Sequence, residues 1–254
     1  MKNMMFWPKS ALLVLFAFIS VGCASSFSNS NIEAEVIPNQ IPPLTKTDGP
    51  GVSSHWKQVT IPLKRKTDYR IVKHQGRSAV RANARSSASG IEAKLDVDLS
   101  RTPSIAFSWY ADALIVGADN SEKSTEDSPL RIVLSFDGDK DTLSSKEQRF
   151  HDRAKFFTGR DLPFATLMYI WENQKPVDTV ITNPHTATIM KIVIASGEKD
   201  LKTWKSFKRN ITEDYVKAFG KPPGKLTGIA LMSDTDNTGT NITAYYSDIT
   251  LVGN

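Results

Sequence analysis

From Trp56 onward polar and apolar residues mostly alternate. Ile91, Ala93, Leu95, Val97 and Leu99 are separated by Glu92, Lys94, Asp96 and Asp98. Successive side chains of a strand point to opposite faces, so this stretch predicts a strand buried on one side. Val80, Ala82 and Ala84 likewise share one face, while Arg77, Arg81 and Arg85 share the other. The same reasoning predicts strands over 69–73, 104–110, 130–136, 164–171, 188–195, 226–232 and 241–252. The segment 164–171 is apolar on both faces and belongs in the middle of a sheet.

Two segments change period. Ser145 with Gln148 has capping-box spacing, and Phe150, Ala154 and Phe157 then recur at helical intervals before Gly159. Asn210 with Glu213 opens a second helix, with Ile211, Tyr215, Val216 and Phe219 as its stripe and Gly220 and Pro222 as its stop. Many strands and two short helices predict an all-β fold, two antiparallel sheets packed face to face. Ser87 and Ser89 beside Gly90 read as a turn.

The N-terminus follows a different rule. Lys2 and Lys9 precede an apolar run from Ala11 to Ile19, and Gly22 stands before Cys23, the single cysteine among 254 residues. This has the parts of an export signal, and Cys23 after it resembles the acylated first residue of a mature bacterial lipoprotein. The expected layout is a leader over 1–22, a tether over 23–54 and one domain over 55–254. Ile32, Val36, Ile37 and Ile41 leave open an arm packed on that domain. The expected location is the cell envelope, on the periplasmic face of the outer membrane, with lipid on Cys23 as the membrane contact. With no second cysteine a disulfide is excluded.

The chain carries a formal charge of +5 with 23% charged residues, both signs interspersed. That balance and export both argue against nucleic acid as partner. The sequence holds no His-x-x-x-His pair, nucleophile elbow, phosphate loop or dinucleotide fingerprint.

Several stretches occur together in order: Ser87-Ala88-Ser89-Gly90, the Trp109 strand, Asp119…Asp127…Arg131, the Leu162–Trp171 strand, the Lys208–Gly220 helix and Leu231–Gly239. Together they resemble a bacterial family catalogued as domain of unknown function 3047, over about Trp56 to Leu251. The resemblance implies a jelly-roll-like sandwich similar to galactose-binding domains, and no established activity.

Three groups of residues carry candidate chemistry. Asp234, Asp236 and Thr238 before Gly239 match the first half of a calcium loop, with Asp248 as a further ligand if the fold returns it. Position twelve of that loop is Tyr245 rather than Glu, and a plain hairpin turn explains the same residues. Arg131 points away from Leu130, Ile132 and Leu134, so its guanidinium can fork onto Asp127 or Asp119, or onto a ligand. Trp109, Tyr169 and Trp171 lie on strands, either as core or as stacking surfaces for sugar rings.

The reading that follows is an envelope-anchored, non-catalytic binding domain for a glycan or another polar polymer. Two alternatives stand beside it. One is a polysaccharide hydrolase pairing Asp127 with Asp234 or Asp236. The other is an assembly lipoprotein whose partner is an envelope protein.

Overall fold

The computed structural model describes residues 38–45 and 52–253. The expected leader and Cys23 lie outside them. Twelve strands and two helices follow in order: β1 Lys57–Thr60, β2 Asp68–His74, β3 Arg77–Arg85, β4 Ala88–Val97, β5 Ser104–Ala111, β6 Ser128–Phe136, α1 Ser145–Thr158, β7 Ala165–Glu172, β8 Val180–Thr182, β9 Ile189–Ser196, β10 Lys205–Asn210, α2 Ile211–Phe219, β11 Leu226–Asp234 and β12 Asn241–Val252. They form a seven-stranded sheet, β1-β4-β11-β6-β7-β9-β8, and a five-stranded sheet, β10-β5-β12-β3-β2. From β3 to β6, and again from β10 to β12, the chain steps from one sheet to the other at every strand. This is the expected jelly-roll-like sandwich.

Alternation decides which face is core. In the seven-stranded sheet one row reads Ile91, Leu231, Ile132, Tyr169 and Ile192 across five strands. Opposite it, Trp109, Tyr246 and Val80 form a row of the five-stranded sheet. All of these are buried in one continuous core. β7 is internal, as its two apolar faces predict.

Several expectations need correction. β7 and β9 run parallel, because β8 takes the sheet edge and the returning chain inserts between them. Ser89 and Gly90 lie inside β4, at whose start Ser87 and Ser89 are buried and hydrogen-bonded to Thr67. A side chain at Gly90 would meet the Leu231 carbonyl oxygen at 2.8 Å. The cap of α1 is Ser144, whose hydroxyl accepts from the Glu147 amide, one residue before the predicted box. Phe157 is exposed, and α1 docks through Glu147 and His151 instead.

The other helix keeps its predicted cap: Asn210 accepts from the Glu213 amide. Its buried residues are Ile211, Asp214, Tyr215 and Ala218, while Val216 is exposed. The stretch expected as tether is structured at residues 38–45. Ile41 and Leu44 are buried in the main core, and the Trp56 indole donates to the Pro42 carbonyl at 3.3 Å. Two apolar side chains directly flanking the Pro42-Pro43 pair suffice to fix so short a segment once a hydrophobic slot is present. Among the described residues no helix is long and apolar enough to cross a membrane.

Candidate functional site

β6 places Arg131 on the outer face of its sheet, one residue from the core row, as its strand period requires. The partner is Asp234 at the end of β11. Arg131 Nε and Nη2 donate to its two oxygens at 2.9 and 3.0 Å. Arg131 also donates to the Glu126 carbonyl. Arg131 is 3% exposed and Asp234 5%. The expected partners Asp127 and Asp119 are thus replaced by Asp234, which β11 delivers directly beside β6.

Asp127 is buried and caps the 235–240 turn. It accepts from the Asn237 amide, and from the Thr238 amide and hydroxyl, both at 2.7 Å. Asp236 pairs with Lys64. Oxygens of Asp127, Asp234 and Asp236 lie within 4.8 Å of one another, close enough to share one cation. Two cationic side chains, Arg131 and Lys64, already serve them, joined by the Ser128, Asn237 and Thr238 amides and the Thr238 hydroxyl. A calcium ion needs six to eight oxygens and would have to displace those donors. Burial, with Asp127 beside it, pushes the Asp234 carboxyl up to about 6 against the pull of Arg131.

The remaining sequence candidates lie elsewhere. Asp119 pairs with Lys175 and accepts from Ser121. Burial works the other way, but those bonds lower its carboxyl to about 2. Asp248 sits at a bulge in β12 with positive φ and pairs with Arg77; it does not return to the 234–238 turn. Trp109, Tyr169 and Trp171 are fully buried. Tyr169 donates to Asp214 at 2.8 Å and Trp171 to the Gly197 carbonyl at 3.1 Å. Sealed in the core, none of the three can stack on a ligand.

The open chemistry is on the other sheet. A cleft of about 610 Å³ is lined by Arg65, Lys66, Asp68, Arg70, Arg81, Asn83 and Arg85. A second, of about 370 Å³, shares Lys66 and Asp68 with it and continues past Gln58, Tyr69 and Trp56. The two follow β2 from the sandwich edge onto the outer face of the five-stranded sheet. The cleft continues a register row: Arg70 is opposite Arg81, and Arg81 is opposite Tyr245, which is opposite Tyr110. His74 stacks on Tyr245 at 3.9 Å, and Trp204 packs against Tyr110 at 5.7 Å.

The acid network holds this cleft in shape. Lys64, bound to Asp236, immediately precedes Arg65 and Lys66. Thr67 follows them, and its hydroxyl bonds Ser87 and donates to the Ser233 carbonyl, both at 2.9 Å. Of the residues picked out by the sequence, Asp127, Asp234 and Asp236 are therefore part of the cleft's foundation rather than its lining. The lining did leave one signal: Arg81 and Arg85 share a face of β3, opposite the buried Val80, Ala82 and Ala84. Arg65, Lys66 and Arg70 come from a neighbouring loop and strand, which no local pattern joins to β3.

The family model described as Protein of unknown function (DUF3047) matches residues 54–250. The chain belongs to that family. A comparison with curated proteins finds no match. Among solved structures, a family 11 carbohydrate-binding module from Clostridium thermocellum, in complex with a β-1,3-1,4-mixed-linked tetrasaccharide, is similar at 12% identity. The match covers 85% of this chain and 95% of that one, with a TM-score of 0.41. The xyloglucanase domain of NopAA, a type three effector from Sinorhizobium fredii, in complex with cellobiose, is similar at 9% identity. That match covers 78% of this chain and 93% of the other, with a TM-score of 0.41. What those proteins bind or cleave is their own property. The DUF3047 cleft stands on its own residues.

Proposed function

We propose that this DUF3047 domain is a non-catalytic module that binds a glycan or a similar polar polymer, held at the cell envelope by lipid on Cys23. The observation that carries this reading is the cleft along β2. It is open and elongated, and it offers guanidinium, ammonium and amide groups to a hydroxyl-rich chain, with Trp56 and Tyr69 at one end. Asp68 is the one carboxylate that lines it. Glycoside hydrolysis ordinarily takes two.

The hydrolase alternative has one point in its favour, the closeness of Asp127, Asp234 and Asp236. Both oxygens of Asp234 are held in the Arg131 fork, and Asp127 is 1% exposed. Neither can reach a scissile bond without breaking the network. The assembly alternative is favoured by Phe156 and Phe157, which are 84% and 71% exposed on α1.

A glycan array probed with the full chain tests the main reading. Binding to at least one polysaccharide class, lost on substitution in the cleft, is the expected result. Silence across the array would sink it. Mass spectrometry of the protein from its native membrane tests the anchor, and an unmodified thiol at Cys23 would remove it.

A further inference from the structure

The cleft has a strong sign. Five cationic side chains, Arg65, Lys66, Arg70, Arg81 and Arg85, surround the single carboxylate of Asp68. The entire chain has an excess of only five positive charges, so positive charge is concentrated here rather than spread. Arg70 and Arg81 are directly opposite in the register of β2 and β3. Like charges so placed repel across a sheet, and both point away from the core.

Asp68 shows what the cleft accepts. Its carboxylate takes Arg70 at 3.0 Å and lies 3.6 Å from Arg81, bridging the two guanidinium groups. One carboxylate serves two of five cations. Arg65 and Lys66 have exposed side chains at the mouth, and Arg85 makes its bond to the neutral Asn83 at 3.3 Å. The buried Arg81 Nε finds no acceptor among the described residues. Guanidinium forks match carboxylate and phosphate oxygens in two-point bonds, and a cleft of one sign concentrates ligands of the other.

From this we infer that the ligand is an acidic glycan, one whose sugars carry carboxylate or phosphate groups. The anions bind at Arg65, Lys66, Arg81 and Arg85, while Asp68 keeps Arg70 and Arg81 in place. This rests on the glycan-binding reading above and sharpens it.

The test titrates the full-length protein in detergent with four probes at 50 and 150 mM salt. They are an oligogalacturonate, its fully methyl-esterified form, a phosphorylated dextran and a short DNA duplex. The acid oligomer should bind at least tenfold more tightly than its ester, with affinity falling as salt rises. Lys66→Gln with Arg85→Gln, both exposed, should abolish most of that preference and leave the melting temperature unchanged. Binding of the phosphorylated dextran in place of the uronate would support the inference and assign phosphate as the anion. Equal binding of acid and ester would overturn it and leave the glycan reading standing. No binding of any of the three sugar probes would overturn it, and silence across the glycan array as well would overturn both. A duplex bound more tightly than every acidic sugar at 150 mM salt would also overturn it.

Discussion

Arg131 and Asp234 are each nearly sealed from water, and each satisfies the other through two bonds. Removing one partner strands the other's charge, so Arg131→Ala should destabilise by about 3–5 kcal/mol in urea unfolding. A loss below about 1 kcal/mol would mean that water reaches the pair. Lys191 is a second sealed cation, bonded to Glu126 at 2.7 Å and to the Asn120 carbonyl at 2.8 Å. Burial, and then the Arg131 charge, push its ammonium down to about 8 in spite of Glu126. The unfolded lysine titrates near 10.4. Between those values the unfolded chain binds more protons, so this group's contribution to stability rises with pH from about 8 to about 10. Below 8 the charged lysine carries its full desolvation cost. Wild-type stability measured relative to Lys191→Met should therefore climb across that window. A flat or falling difference would show that Glu126 outweighs burial. Calcium should leave the melting temperature unmoved, because Lys64 holds Asp236. A rise of several degrees that Asp236→Ala removes would reverse that view.

At the level of elements, the short arm of residues 38–45 behaves as part of the sandwich. Leu44→Ala should cost about 2–4 kcal/mol, and an effect within about 0.5 kcal/mol would return the arm to the status of a tether. Strand periodicity revealed nine of the twelve strands, because half-buried strands write their two faces into the sequence. The exceptions are β1, β8 and β10, which lie at sheet edges. They are short or carry lysines on both faces, so burial never imposed an alternating pattern on them. α1 was legible as a helix but not in its orientation. Its docking uses Glu147 and His151 against Thr186, Ala187 and Thr188, contacts that hydrophobic spacing does not encode. At the site, sequence found the acids that brace the cleft, because Asp-rich turns are conspicuous. It placed Arg81 and Arg85 on one face but missed the rest of the lining, because register between β2 and β3 brings the arginines of the two strands together, and register is a property of pairs of strands.

For the whole molecule, the division of labour between the sheets matters most. The seven-stranded sheet anchors the buried ion network, and the five-stranded sheet presents the open cationic face. Asp236, Lys64 and Thr67 link the two. Asp236→Ala should then weaken ligand binding severalfold although it does not line the cleft, which calorimetry against whichever glycan the array identifies can measure. Unchanged affinity would show that the Lys64–Thr67 segment keeps its position without that brace.

The flanks of the two sheets have one last consequence. Among the described residues the outermost strands are β1 and β8, of four and three residues, and β10 and β2, which carry Lys205, Lys208, Arg209, Arg70 and Lys73. An unpaired flank is a template for a neighbour's backbone unless it is too brief or too repulsive to be copied. Copies crowded together in two dimensions would meet brief or positively charged borders, and such borders oppose zipping into fibres.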